Sequence, residues 1–237
     1  MLPILETGVL GPALSTSQHE GSGPNKSRQE APHAHSITPD PKTGKLYACD
    51  LGIDQIIVYA TDAAGLKPVP PPLHTPPGSG PRHLAFHPSG KTLYVVNEIN
   101  STVTVFTRPD TATPFVPVQT LSTLPKDDAT PGTTCSDIHV APSGRFVYAA
   151  NRGHDSIAIF TVNEQDSTLT PVGHDSVLGR TPRSFALSPD GNWLLAANQD
   201  SDTINVFRID ATTGRLQSSG NSISVPKPVC LRFMPSL

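Results

Sequence analysis

Cysteine is scarce in this chain, which has three thiols in 237 residues. Cys49, Cys135 and Cys230 are odd in number and follow no metal-ligand or redox spacing. A disulfide framework and a zinc site are therefore both disfavoured, and the pattern indicates structural thiols.

Long apolar runs and a strong excess of charge are also missing. No stretch approaches the roughly 18 apolar residues that a membrane helix needs. The formal net charge is −3, so the sequence predicts no general affinity for nucleic acid or for an anionic membrane. The opening residues, Met1 to Glu6, are neither basic nor long enough for a signal peptide, which predicts a cytoplasmic location.

The glycine-rich loops do not indicate a nucleotide cofactor. Gly21 and Gly78 each begin a Gly-Ser-Gly-Pro sequence. Neither sequence lies between a predicted strand and a predicted helix, which is the context that phosphate-binding motifs require. We therefore expect no cofactor.

Four copies of one pattern cover most of the chain. Each copy reads roughly Pro-x-Gly, two hydrophobic residues, Asn or Asp, and an Ile/Val-x-Ile/Val-aromatic run. Equivalent hydrophobic residues are separated by 47, 54 and 47 positions; they are Tyr47, Tyr94, Tyr148 and Leu195. The same offsets relate Asp50, Asn97, Asn151 and Asn198, and also Tyr59, Phe106, Phe160 and Phe207. A repeat near 47 residues is the size of a propeller blade.

Each copy is predicted to contain strands alone. In the second copy they are His83 to Phe86, Leu93 to Val96 and Val103 to Phe106, and a weaker fourth strand follows. Alternating apolar residues and four strands per repeat are typical of an antiparallel propeller blade. The prediction is an all-β, single-domain β-propeller over residues 1–237. Its blades are predicted at about 33–80, 81–134, 135–181 and 182–228, with partial blades at 1–16 and 229–237.

Candidate functional residues are those that differ between equivalent positions near the propeller axis. At the start of the inner strand these positions hold His35, Arg82, Ser136 and Arg183. Directly after the Asn or Asp they hold Leu51, Glu98, Arg152 and Gln199. Inner strands line the central channel, so their ends converge although they are distant in sequence. The sequence therefore predicts a polar site formed by His35, Arg82, Glu98 and Arg152.

This set of side chains suits an anionic substrate. Guanidinium groups bind carboxylate or phosphate bidentately and stabilise an oxyanion or enolate, while His35 or Glu98 transfers a proton. The same residues allow a structural alternative. In that alternative, Glu98 pairs with Arg82 or Arg152 in a buried ionic cluster that fills the channel.

Four motifs resemble one known family. They are the run Arg-Gln-Glu-Ala-Pro-His-Ala-His-Ser at 28–36, the run Gly-Ser-Gly-Pro-Arg-His-Leu-Ala-Phe-His-Pro at 78–88, Asn97-Glu98, and Asn-Arg-Gly-His-Asp-Ser-Ile at 151–157. With these motifs the chain resembles the seven-bladed lactonase family over about residues 5 to 234. That family includes bacterial propeller-type 6-phosphogluconolactonases and fungal 3-carboxy-cis,cis-muconate lactonizing enzymes.

The resemblance implies roles for individual residues. The family's proposed catalytic residues fall here on His35, Arg82, Glu98 and Arg152. His33 is the alternative to His35, which is favoured because it holds the repeat position of Arg82. Zinc binding by the two histidines is disfavoured, since no further ligand shows metal spacing. The additional substrate-binding candidates are Arg183, His83, His154 and His33.

The implied function is an enzyme that hydrolyses or forms a lactone on a small anionic substrate. The alternative is a noncatalytic propeller that binds protein partners, or an inactive paralogue of the enzyme, because this fold supports many functions. Seven repeats of about 47 residues would need roughly 330, so we expect two blades and part of a third to be absent before Met1. An open disc would expose edge strands and blade faces, which favours self-association.

Overall fold

The computed structural model describes residues 1–127 and 130–234, and the regular structure of this part is almost entirely β-strand. The first sheet contains β1 (Ala34–Pro39), β2 (Leu46–Asp50), β3 (Gln55–Asp62) and β4 (Gly65–Pro68), with the short β5 (Leu73–His74) paired to β3. The second contains β6 (Pro81–Phe86), β7 (Thr92–Asn97), β8 (Thr102–Thr107) and β9 (Val116–Ser122). The third contains β10 (Thr134–Val140), β11 (Phe146–Arg152), β12 (Ser156–Val162) and β13 (Leu169–Ser176). The fourth contains β14 (Pro182–Leu187), β15 (Trp193–Asn198), β16 (Thr203–Ile209) and β17 (Leu216–Ser224).

Strand order within each sheet follows the order along the chain, and neighbouring strands are antiparallel. This arrangement is the meander of a propeller blade, so the predicted all-β propeller fold is confirmed. A 3₁₀ turn, Gln199–Ser201, follows β15. In the part of the chain that the structure describes, no helix is long and apolar enough to cross a lipid bilayer.

The hydrophobic core lies between neighbouring sheets. Alternation along each strand sends apolar side chains to both faces of a blade, where they meet the next blade. Between the first two sheets, for example, Tyr47 and Ile56 pack against Leu93 and Phe106. Two equivalent clusters join the second sheet to the third and the third to the fourth. Burial of both blade faces therefore fixes the sheets side by side.

Side-chain to backbone hydrogen bonds hold the inner strands together. The Ser36 hydroxyl donates to the carbonyl oxygen of Arg82 at 2.7 Å, and the Ser136 hydroxyl donates to that of Pro182 at 2.5 Å. These bonds join β1 to β6 and β10 to β14 near the strand starts. Side chains at the starts of successive inner strands are consequently brought to one place.

The two predicted partial blades differ in structure. Near the N-terminus a short hairpin contains the bridge between Ile4 and Leu10 and a bond from the Leu5 amide to the Val9 carbonyl at 2.9 Å. Among the described residues after β17, none lies in a strand. The Leu231 amide instead donates to the Ser184 hydroxyl at 3.4 Å. Residues 235–237 of the second predicted partial blade lie outside the described residues.

Candidate active site

A β-bulge places the first set of candidate residues. In three blades the ladder between the inner strand and its neighbour skips one residue, and that residue is His35, Arg82 or Arg183. In the third blade the skipped pair is Ser136 and Asp137. A bulged residue leaves the regular alternation, so its side chain is redirected. The bulge thus explains why these repeat positions carry site residues.

Buried polar residues at the end of the second strand place the other set. The Asn97 amide donates to the hydroxyls of Thr102 and Thr104 at 2.8 and 2.9 Å, and these residues lie on the following strand. The Asn151 amide donates to the Thr123 carbonyl at 2.8 Å. Since these side chains fix the strand end, the next residue in each blade projects from a rigid support. In the second and third blades that next residue is Glu98 or Arg152.

The two sets meet in one cavity of about 430 Å³, a size suited to a small ligand. The lining residues are Ser27, Arg28, Glu30, His33, His35, Leu51, Arg82, Glu98, Arg152 and Arg183. Four arginines outnumber two glutamates in this lining, so the cavity attracts anions.

Glu98 is the centre of the charge network. Its side chain is 4% exposed and lies 2.5 Å from Arg28, 2.6 Å from Arg82 and 3.1 Å from Arg152. Arg82 also donates through Nε to the Ser136 carbonyl at 2.6 Å, and Arg152 donates to the Cys135 carbonyl at 2.8 Å. One carboxylate therefore orients three guanidinium groups, two of which are also fixed by the main chain.

This environment shifts the proton affinities of Glu98 and His35. Burial opposes ionisation of Glu98, but the hydrogen bond from Arg28 and the charges of Arg82 and Arg152 outweigh it and lower the pKa to about 2. For His35, burial and then the charge of Arg82 lower the pKa to about 4. Near neutral pH, Glu98 is thus ionised and His35 is neutral.

The two histidines of the 28–36 motif have different surroundings. His35 Nε2 lies 2.5 Å from Arg82 Nη1, which places it directly beside the charge network. His33 Nε2 lies 2.9 Å from Glu30, and both of these side chains are largely exposed. Both histidines line the cavity, but His35 is the one that contacts the charge network.

The other predicted substrate-binding residues divide into two groups. Arg183 lines the cavity, together with His33. His83 points instead toward Asp137, 2.8 Å away, because it follows the bulge and resumes the strand alternation. His154 lies in the turn after β11, where its Nδ1 is 2.6 Å from the Ser156 hydroxyl. Neither lines the cavity, so the substrate-binding role of His83 and His154 stays a prediction without support from the geometry.

Arg28 is the member of the site that the repeat offsets missed. It comes from the irregular segment before β1, which has no equivalent in the other blades. The available signal was its position at the first residue of the 28–36 motif. For metals, the residues that the structure describes contain no group of three His, Cys, Asp or Glu side chains able to hold an ion.

Comparison with known proteins decides the family. Residues 1–233 match the family described as "Lactonase, 7-bladed beta-propeller". The chain belongs to this lactonase family. A 6-phosphogluconolactonase of Bacillus subtilis is 40% identical over 234 residues, which cover 99% of this chain and 66% of that protein. A 6-phosphogluconolactonase of Formosa agariphila is 34% identical, covering 90% of this chain and 61% of that protein.

A solved structure agrees with this assignment. The periplasmic gluconolactonase of Pseudomonas aeruginosa superposes with a TM-score of 0.91 at 33% identity, covering 99% of this chain and 65% of that one. The lactonase-family chain thus spans about two thirds of the length of the relatives that it matches.

Proposed function

We propose that this lactonase-family chain hydrolyses a small anionic lactone of the 6-phosphogluconolactone type. The observation that carries the proposal is the cavity in which Arg28, Arg82 and Arg152 surround Glu98 beside a neutral His35. The relatives named as lactonases support the same reaction class.

His35 acts as the base in the proposed reaction. A neutral imidazole accepts a proton from water, whereas a carboxylate with a pKa of about 2, as in Glu98, is the weaker base. In the structure Arg82 donates toward His35 Nε2. When the lactone binds, Arg82 transfers this hydrogen bond to the lactone carbonyl oxygen, which frees the imidazole nitrogen for water.

The proposed hydrolysis consumes one water molecule and requires no cofactor. Water attacks the lactone carbonyl carbon as His35 takes its proton, and the negative charge that develops on the carbonyl oxygen is stabilised by Arg82 and Arg152. The carbon–oxygen bond of the ring breaks, and the ring oxygen takes the proton back from His35. The product is the open-chain hydroxy acid.

Four other expectations stay predictions. The relatives' names do not favour lactonization of carboxymuconate or a noncatalytic scaffold. A cytoplasmic location rests on the sequence alone. Self-association through open blade edges rests on the same sequence reasoning, and sedimentation of the purified chain as a monomer would contradict it.

Turnover of 6-phosphogluconolactone by the purified chain tests the proposal. We expect proton release faster than uncatalysed hydrolysis, and a loss of about 100-fold or more in kcat for His35→Gln. Arg208→Gln is the control, because Arg208 lies exposed on β16 and does not line the cavity. A folded chain that does not exceed the uncatalysed rate would exclude the proposed activity.

A further inference from the structure

Arg28 reaches the charge network from outside the blade repeat. Its Nη2 lies 2.5 Å from Glu98 Oε1, yet its side chain is 44% exposed, against 5% for Arg82 and 15% for Arg152. The residue therefore stands at the rim of the cavity with its charged end directed inward.

The backbone that carries Arg28 is firmly held by its neighbour. Gln29 is fully buried, and its amide donates to the Leu51 carbonyl and to Asp54, both at 2.8 Å. Its side-chain oxygen accepts from the Asn25 amide at 3.1 Å. These bonds fix the backbone position of Arg28, while its side chain, which is 44% exposed, has space on the solvent side to adopt another rotamer.

Release of Arg28 from Glu98 would leave the carboxylate paired. Arg82 and Arg152 each make a second bond to a main-chain carbonyl and remain on Glu98. In the described ranges, Glu98 is the one hydrogen-bond acceptor of the Arg28 guanidinium. Arg28 is consequently the arginine of the network that is best placed to exchange the carboxylate for an anionic group of a ligand.

Arg183 provides a second cation in the same cavity. Its guanidinium makes no hydrogen bond or ion pair with the residues that the structure describes, although it lines the cavity with Arg28. A phosphate carries nearly two negative charges and three strong acceptor oxygens, and arginine binds it bidentately. Two guanidinium groups suit one phosphate in charge and in hydrogen-bonding capacity.

We propose that Arg28, with Arg183, binds the phosphate of the substrate and makes the site selective for phosphorylated over unphosphorylated sugar lactones. This inference rests on the proposed lactonase function and names the residue that sets its specificity. Arg28 exchanges Glu98 for the phosphate of the ligand, while Arg82 and Arg152 remain with Glu98 and face the lactone carbonyl.

Steady-state kinetics on two lactones tests the assignment. The substrates are 6-phosphogluconolactone and glucono-δ-lactone, and the variants are Arg28→Gln, Arg28→Lys and the control Arg208→Gln. Loss of one charge-assisted contact is expected to lower kcat/KM of Arg28→Gln about 30-fold for the phosphorylated lactone, mainly through KM, and less than about 3-fold for the other. Arg28→Lys keeps the charge but loses the bidentate geometry, so its loss is intermediate.

Equal losses on the two substrates would overturn the assignment. Calorimetric binding of 6-phosphogluconate and gluconate separates this failure from failure of the proposed function. The wild-type chain could hydrolyse neither lactone and still bind 6-phosphogluconate more tightly than gluconate. If that difference in affinity disappears in Arg28→Gln, the result supports the phosphate site. A wild-type chain without that preference, or a variant that retains it, refutes the site.

Discussion

Replacing Glu98 by glutamine removes the anion at the centre of the charge network with little change of shape. The carboxylate contacts Arg28, Arg82 and Arg152, and its side chain is 4% exposed. Glutamine resembles the protonated acid in charge and volume. The pKa of Glu98 falls from 4.5 to about 2 in the folded chain, and this preference for the ionised form corresponds to about 3 kcal/mol. We therefore expect Glu98→Gln to lower the free energy of unfolding by about 3 kcal/mol near neutral pH.

The pH dependence provides a second test of the same reasoning. A carboxyl whose folded-state pKa is depressed contributes its full stability above the unfolded value and loses it as the pH falls to the folded value. For Glu98 this window runs from 4.5 down to about 2. The difference in stability between the wild-type chain and the variant should shrink through that window and approach zero as the pH falls through its lower end.

Urea unfolding followed by circular dichroism measures both effects. Glu30→Gln is the control, because Glu30 lines the same cavity but is 56% exposed and pairs with the exposed His33. The free energy of unfolding of Glu30→Gln should stay close to that of the wild-type chain, because exposed ion pairs contribute little to stability. If Glu98→Gln is as stable as the wild-type chain near neutral pH, or if the difference does not depend on pH, the three arginine contacts do not stabilise the fold as argued.

Three further results are expected. The acid limb of kcat/KM reports the free enzyme and should lie near the lowered His35 pKa of about 4, with activity lost as the pH falls and His35 takes up a proton; a limb at or above the ordinary value of 6.5 would contradict a buried His35 beside Arg82 as the base. Asp137→Asn should reduce the free energy of unfolding by about 2 to 3 kcal/mol because the buried carboxylate accepts several hydrogen bonds, and an unchanged urea midpoint would contradict this. Burial raises the pKa of Cys49 to about 12 and that of Cys135 to about 11. A thiol reagent at mildly alkaline pH should therefore modify the exposed Cys230 alone. Rapid reaction of all three thiols would show that Cys49 and Cys135 are not buried in the native chain.

The fold was predictable because its signals are local and repeated. Alternating residues such as Val103 and Val105 are fully buried on β8, and the offset between Tyr47 and Tyr94 gives the spacing of equivalent blades. The same offsets led to His35 and Arg82, which the structure places 2.5 Å apart. The proximity of residues far apart in sequence could be predicted because each blade repeats one backbone geometry.

Features outside the repeat were not predictable in this way. Arg28 depends on the buried bonds of Gln29 to Leu51 and Asp54, which are tertiary contacts with no periodic signature. The different directions of Arg82 and His83 depend on the bulge in β6, where one skipped residue reverses the alternation. Sequence adjacency to a site residue therefore gave no guide to whether a side chain lines the cavity.

The charge balance of the cavity bears on a choice that the sequence left open. The charged residues either bind an anionic substrate or form an ionic cluster that only fills the channel. An ionic cluster that only fills a channel should neutralise its own charges, because an unpaired buried charge is strongly unfavourable. Glu98 instead faces three arginines. A fourth, Arg183, lines the same cavity without a hydrogen bond or ion pair to the described parts of the chain. The cavity has an excess of positive charge and, at about 430 Å³, enough space for an anion. The arrangement therefore supports ligand binding over a purely structural role.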